Sequence, residues 1–385
     1  MFITNDVKYV GVNDKRDILF EGQFTVPDGI AYNSYIICDE KVAVMDSVDC
    51  AFTEQWLSNI EKELDGRAPD YLVVHHMEPD HSSSIGAFTE RYPTATVVSS
   101  DKAFKMMKTF YGSDYPDKRI VIKEGDVLAL GKHNLRFYSA PMVHWPEVMV
   151  SFDECDGILF SADGFGKFGA LDCEEDWACE ARRYYFGIVG KYGAQVQALL
   201  RKLPVGDIRI ICPLHGPVLT ENLGYYFGLY NTWSSYKAET EGVAIVYTSA
   251  YGNTAKAAKL LEQKLTEKGI KVALSNLGEC DIHEAVEDAF RYSHLVLATT
   301  TYNGDIFPFM RHFIYALIER GYKARRVGLI ENGSWAPMAA KVMRGMLEGA
   351  KDISYLENTV KITSALDEGS TEALLMLSEE ISSDF

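Results

Sequence analysis

The segment Tyr71-Leu-Val-Val-His-His-Met-Glu-Pro-Asp-His81 passes from a run of apolar, β-forming residues directly into His76-x-Glu78-x-Asp80-His81. Where a strand ends in a turn, adjacent and alternate side chains converge on one point above the sheet edge. Imidazoles and carboxylates gathered there form a transition-metal ligand set. The competing reading is a polar loop around one hydrogen-bonded histidine. Against it stands the cost of burying several ionisable groups together unless a metal compensates them. Three further residues follow the same strand-then-loop logic: His144 after residues 137–140, Asp163 after 158–161, and His215 after 208–212. Each alone is an ordinary loop residue; with the cluster they supply ligands enough for two metals.

A second group could hold a phosphate. Val243-Ala-Ile-Val-Tyr-Thr-Ser-Ala-Tyr-Gly-Asn-Thr254 reads as a strand, a tight hydroxyl- and glycine-bearing turn, and a helix start. Such a turn aims backbone N–H groups at an anion, which a helix N-terminus also favours. Ser249, Asn253 and Thr254 are the candidates, although an ordinary N-capped helix has the same pattern. Two later loops, Thr299-Thr-Thr-Tyr-Asn-Gly304 and Glu331-Asn-Gly-Ser-Trp-Ala336, leave successive strands at their carboxyl ends, where doubly wound sheets bind ligands.

The elements that position these groups fall into two rhythms. Up to about residue 240, short β-rich runs (34–38, 42–46, 71–74, 96–99, 148–152) alternate with helical stretches such as 52–64 and 101–110, indicating mixed α/β with several antiparallel neighbours. From 241 the order is strand 243–247, helix 253–268, a strand near Val272, helix 282–290, strand 295–299, helix 308–320, strand 327–331, and helices 336–348 and 371–381. Strands separated by helices of this length imply a parallel, doubly wound sheet. The polar stretch 234–241 is the expected linker, giving domains 1–240 and 241–385.

Bulk properties narrow the function. Hydrophobic residues at 47% and charged residues at 24% are those of a folded globular chain. A formal charge of −17 argues against a nucleic-acid partner, since phosphate backbones are gripped by clustered Lys and Arg. No apolar run reaches the roughly 18 residues of a membrane span, and the first residues do not read as a secretion signal. Seven scattered cysteines without a C-x-x-C pair suit a reducing compartment, and a cytoplasmic protein is expected.

The His76-to-His81 pattern resembles the loop of the metallo-β-lactamase superfamily, His-x-His-x-Asp-His, with Glu78 replacing the second histidine. An anionic, harder ligand disfavours a plain zinc hydrolase and suits iron cycling between two oxidation states. Together with His144-Trp-Pro-Glu147 and Ser161-Ala-Asp-Gly-Phe-Gly166, the sequence resembles the flavodiiron proteins over nearly its whole length. That resemblance implies a metallo-β-lactamase-like αββα sandwich followed by a flavodoxin-like domain. It implies two non-haem irons, one held by His76, Glu78 and His144, the other by Asp80, His81 and His215, with Asp163 bridging. His75 matches no ligand position and is expected to be structural; Glu147, Tyr184 and Tyr185 are plausible neighbours of the ligands.

These three strand-end loops resemble those of flavodoxin. The match implies FMN cradled by Thr248, Ser249, Ala250, Tyr251, Gly252, Asn253 and Thr254, and by Thr301, Tyr302, Asn303, Gly304, Ser334 and Trp335. The resemblance further implies reduction of O2 to water, of NO to N2O, or of both, as detoxification in an anaerobe or microaerobe. Electrons are expected from a separate donor such as rubredoxin or reduced coenzyme F420, and each FMN is expected to serve the partner's irons in a head-to-tail homodimer or dimer of dimers. A dinuclear zinc hydrolase with an accessory flavodoxin-like part is the rival enzyme. An FMN electron carrier with a degenerate first domain is the rival without catalysis.

Overall fold

A computed structural model describes residues 3–173 and 176–385. The chain divides into two compact units, Met1–Asn231 and Thr232–Phe385, so the expected linker lies at the start of the second unit.

In the first unit two sheets face each other. One runs in the order Val7–Tyr9, Tyr35–Cys38, Val42–Met45, Tyr71–Val73, Thr96–Ser100, Arg119–Ile122, antiparallel over its first three strands and parallel thereafter. The other runs Val127–Ala129, Asn134–Ser139, Met149–Asp153, Ile158–Phe160, Ile210–Cys212, with only its last pair parallel. Strand alternation divides the core in two. Ile37, Ala43, Met45, Val73 and Val98 meet Leu135, Phe137, Met149, Ile158 and Phe160 between the sheets. Ile36, Val44, Leu72 and Val97 point the opposite way, under Trp56, Ile60, Phe88, Phe104 and Met107 of the covering helices. Because both faces are buried, these strands read as unbroken apolar runs. Helix Thr53–Leu64 buries Trp56, Leu57, Ile60 and Leu64, the stripe of an amphipathic helix lying on a sheet.

The second unit is a doubly wound parallel sheet in the order Val272–Asn276, Thr240–Tyr247, Tyr292–Tyr302, Arg326–Asn332, with Ser354–Tyr355 and Val360–Ile362 both pairing with the last. Helices Asn253–Glu267 and Glu368–Ser382 cover one face through Ala257, Leu261, Leu265, Leu374, Leu377 and Ile381. The last helix starts earlier than residue 371, at an Asp367–Ser370 capping box. Conversely, the helix expected from 336 begins at Ala339, because Met338 N and Ala339 N donate to Thr301 Oγ1, which sets the first turn there. The two short edge strands carry no pattern long enough to have been expected. Among the described residues no helix is long and apolar enough to cross a membrane, and all seven cysteines are free.

Candidate metal centre and flavin cradle

All seven candidate metal ligands come from loops at strand ends of the first unit. His76, Glu78, Asp80 and His81 follow strand Tyr71–Val73; Asp80 and His81 fall in the short helix Pro79–Ser82, whose first residue is a proline at a position needing no N–H. Asp163 follows Ile158–Phe160 and His215 follows Ile210–Cys212, the two parallel neighbours of the second sheet. His144 lies in the connection between Asn134–Ser139 and Met149–Asp153.

The side chains gather into two adjoining nests, His76–Glu78–His144–Asp163 and Asp80–His81–His215. In the first, His76 Nε2 lies 3.2 Å from Glu78 Oε2, 3.2 Å from Asp163 Oδ2 and 3.3 Å from His144 Nε2. His144 Nε2 is 3.0 Å from Glu78 Oε2 and 3.1 Å from Asp163 Oδ2. In the second, His81 Nε2 and His215 Nε2 are 3.0 Å apart, and Asp80 Oδ2 is 3.3 and 3.4 Å from them. Asp163 turns its other oxygen, Oδ1, to this nest, 3.4 Å from His81 and 3.8 Å from His215. One carboxylate therefore presents one oxygen to each group.

These groups fit a pair of metal ions. Both oxygens of Asp80 and both of Asp163 are buried without a hydrogen-bond partner, a costly arrangement for carboxylates unless cations meet them. Metal–ligand bonds of about 2.1 Å set at right angles put neighbouring donor atoms about 3.0 Å apart, the spacing found within each nest. The tautomers are fixed from behind. His76 Nδ1 faces Glu147 Oε1 at 2.8 Å, and that oxygen also accepts from Met77 N. His215 Nδ1 donates to the Ala31 carbonyl at 2.8 Å. A proton on each Nδ1 leaves Nε2 as a lone-pair donor pointing inward.

The electrostatics have the same sign. Burial alone would discharge His144, but contacts with Asp163 and Glu78 raise its pKa to about 9. His76 is likewise lifted well above the usual histidine range, against burial, chiefly by Asp163 and Glu147. Burial opposes a charged Asp163 too, yet His76 and His144 hold it well below the usual carboxylate range. The cavity thus stabilises positive charge. His75 turns away: its ring nitrogens lie 2.6 Å from Asp46 Oδ2 and 2.8 Å from Ser151 Oγ, between the sheets. The ring of Tyr184 sits 5.3 Å from that of His215, and burial, then Asp163 and Glu78, keep its hydroxyl protonated.

In the second unit the candidate flavin residues cluster at the carboxyl ends of the parallel strands. Gly252 takes φ 87° before helix Asn253–Glu267, a conformation that favours glycine, and Ser249 Oγ accepts from its N–H at 3.1 Å. The helix has no acidic residue in its first turn, leaving its N–H groups and dipole for an anion. Thr248 and Thr299 share a buried hydroxyl contact of 2.6 Å, tying this loop to the next. Tyr302, Asn303 and Gly304 form a small antiparallel turn with Asp305–Ile306, Asn303 and Gly304 at φ 51° and 72°. Ala250 and Tyr251 stand at the tip of the first loop, and Tyr251 and Trp335 are 96% and 81% exposed, rings a planar ligand can cover. Two candidates have their side chains engaged within the fold: Thr301 caps helix Ala339–Leu347, and Ser334 Oγ meets Ser364 Oγ at 2.6 Å.

Sequence reasoning missed the loop around Ser364, which joins the cradle through Asn332: this residue's amide bridges Thr254 Oγ1 and the Ser364 carbonyl. The Ala31 carbonyl behind His215 was also missed, as backbone acceptors leave no signature in residue identity.

Residues 30–216 match the family model described as ODP family β-lactamase, and residues 245–368 match flavodoxin. A nitric oxide reductase of Moorella thermoacetica is 29% identical over 360 residues, covering 91% of this chain and 90% of that one. A diflavin flavoprotein of Synechocystis is 32% identical over 286 residues, covering 72% of this chain but 50% of its own greater length. The solved structure of a rubredoxin oxygen:oxidoreductase from Desulfovibrio gigas superposes with a TM-score of 0.91 at 25% identity, covering 100% of this chain and 98% of that one. A flavodiiron protein from Giardia intestinalis gives 0.90 at 25% identity, covering 99% and 96%. A flavodoxin domain following a β-lactamase-like domain with this ligand nest implies FMN and two iron ions as the cofactors. The chain belongs to the flavodiiron family of oxidoreductases.

Proposed function

We propose that this chain reduces O2 to water, or NO to N2O, at a two-iron site held by His76, Glu78 and His144 on one side and Asp80, His81 and His215 on the other, with Asp163 shared. The reading rests on one observation: Asp163, fully buried, directs one otherwise unpartnered oxygen at each of two histidine–carboxylate nests. Glu78 favours iron over the zinc of a hydrolase, because an anionic hard ligand stabilises the higher oxidation state. When bound, the irons supply electrons to the gas and FMN returns them.

The chain's own residues hold and insulate that site. Glu147 and the Ala31 carbonyl orient His76 and His215. Trp145 stands edge-on to His76 at 5.3 Å, and Phe20 edge-on to His215 at 5.5 Å, apolar walls that limit water. Tyr184, its ring 5.3 Å from that of His215, keeps its hydroxyl protonated beside the nest. In the second unit the helix at Asn253 would take the FMN phosphate, with Tyr251, Tyr302 and Trp335 as neighbours of the ring.

Rubredoxin, the donor named for the Desulfovibrio relative, or reduced coenzyme F420 is the electron source on this reading. A head-to-tail homodimer would bring each flavin to the other copy's irons, since a two-fold axis pairs both sites at once. The role is detoxification under low oxygen, in the cytoplasm. The test is gas uptake by protein loaded with iron and FMN and reduced anaerobically, comparing O2 with NO. Consumption of either supports the proposal; none of either, with both cofactors measured in place, rejects it.

A further inference from the structure

Asn332 ends the strand Arg326–Asn332 and is almost fully buried, at 6% exposure. Three pieces of the flavin cradle meet on it. Thr300 Oγ1, from the loop of residues 299–304, donates to its backbone carbonyl at 3.2 Å. The side-chain amide pairs with the backbone of Ser364: Nδ2 donates to the Ser364 carbonyl at 3.0 Å, and Oδ1 accepts from Ser364 N at 3.2 Å. The other amide hydrogen goes to Thr254 Oγ1, 3.3 Å away. Thr254 is the second residue of helix Asn253–Glu267 and is 2% exposed.

Chemistry fixes which way this amide points. Ser364 offers one N–H and one carbonyl, so turning the amide over would set N–H against N–H and oxygen against oxygen. The NH2 group therefore faces Thr254, and the hydroxyl oxygen is the acceptor. A hydroxyl carries a single hydrogen. With its oxygen engaged by Asn332, Thr254 keeps that hydrogen to donate, and among the described residues the fold supplies it no acceptor. The same helix turn has N–H groups free of any acidic side chain. Resting on the reading that the FMN phosphate sits at this helix start, we propose that Asn332 is a positioning residue for it. By donating to Thr254 Oγ1, Asn332 commits the Thr254 hydrogen to the phosphate. Its effect therefore falls on the phosphate and not on the ring, and it separates FMN from riboflavin, the same flavin without a phosphate.

The test is titration of flavin-free full-length chain with FMN and, separately, with riboflavin, followed by quenching of flavin fluorescence. Wild type, Thr254→Val, Asn332→Leu, Asn332→Asp and the two double variants are compared. Thr254→Val is expected to weaken FMN by about 10-fold, the lower end for one hydrogen bond to a charged group, with riboflavin nearly unchanged. Asn332→Leu, which removes the donor without adding charge, is expected to lower FMN relative to riboflavin in the same direction. Asn332→Asp, whose carboxylate accepts and so draws the Thr254 hydrogen to itself, is expected to lower it further. On the Thr254→Val background, Asn332→Leu is expected to change the FMN preference by less than about 2-fold, since the group it acts through is gone. Equal losses of FMN and riboflavin in Asn332→Leu overturn the proposal, as does a loss of FMN preference that is the same with and without the Thr254 hydroxyl. Should Asn332→Leu not fold, Asn332→Asp, which keeps the bond from Ser364 N, carries the same comparison. A wild-type chain that binds FMN no tighter than riboflavin sinks the placement of the phosphate itself, a result separable from the others.

Discussion

The two candidate cofactor regions are built by opposite means. At the metal nests the chemistry lies in side chains: histidines and carboxylates that are almost wholly buried, with His76, His81, His215 and Asp163 at 0% exposure, and whose unsatisfied oxygens call for cations. At the flavin cradle it lies in the backbone: a glycine at φ 87°, a helix N-terminus and a turn at Asn303–Gly304, with exposed rings around them. The first region discriminates by charge and ligand count, the second by shape and stacking. Single substitutions should accordingly be severe in one and mild in the other.

The largest effect is expected from Asp163→Ala. Removing the carboxylate that faces both nests should lower the affinity for both metal ions together by more than ~100-fold, read by metal content after dialysis, while FMN binding is unchanged. Loss of only one ion would break the bridging role. Next comes Glu147→Gln, which keeps the shape but weakens the partner of His76 Nδ1; about a 10-fold loss at one metal position is expected by calorimetry, and none at the other.

In the candidate flavin region Trp335→Ala should weaken FMN by about 2- to 10-fold, the range for one aromatic stacking partner, with iron content intact by direct assay. A loss of a thousandfold would show that side chains, and not the loop backbone, carry that site. The smallest effect concerns stability in the first unit. Buried His133 lies 3.0 Å from Asp153 Oδ2 and 3.3 Å from Asp6 Oδ2, and its pKa is raised: burial opposes the charge, but Asp153 and Asp6 outweigh it. A raised value stabilises the fold fully below the unfolded histidine pKa of about 6.5, and the contribution fades as pH rises through the folded value. Asp6, held low chiefly by its hydrogen bonds to Lys132 and His133, sets the acid limit. His133→Asn should therefore cost about 1 to 2 kcal/mol near pH 6 and less at pH 9, measured by urea unfolding of the first unit. In the second unit the buried Arg325 hydrogen-bonds to carbonyls such as Tyr292 O and Tyr236 O, contacts that do not titrate.

This contrast also explains what could be read from the sequence. His76, Glu78, Asp80 and His81 stood out as candidates by side-chain type and strand-end position, and the structure brings them into two nests, while the covered strands 42–45 and 71–73 were legible in their apolar runs. The doubly wound order was legible from alternating strands and helices, since each crossover needs a helix of full length. Illegible were contacts between distant short pieces. Phe20, against the His215 ring, belongs to a hairpin with two-residue strands, too brief for any periodicity, and Val360–Ile362 is an edge strand of three residues. Thr301 was read as a flavin neighbour from its loop position; that its hydroxyl caps a helix 37 and 38 residues away depends on tertiary packing alone.

The central claim is that Asp163 joins two iron ions, one in each nest. Mössbauer spectroscopy of iron-loaded, oxidised full-length chain tests it most directly. The expected result is two ferric ions per chain that are antiferromagnetically coupled and give no magnetic splitting in a weak field at low temperature. A single iron per chain, or two that behave as isolated high-spin ferric ions, would contradict it.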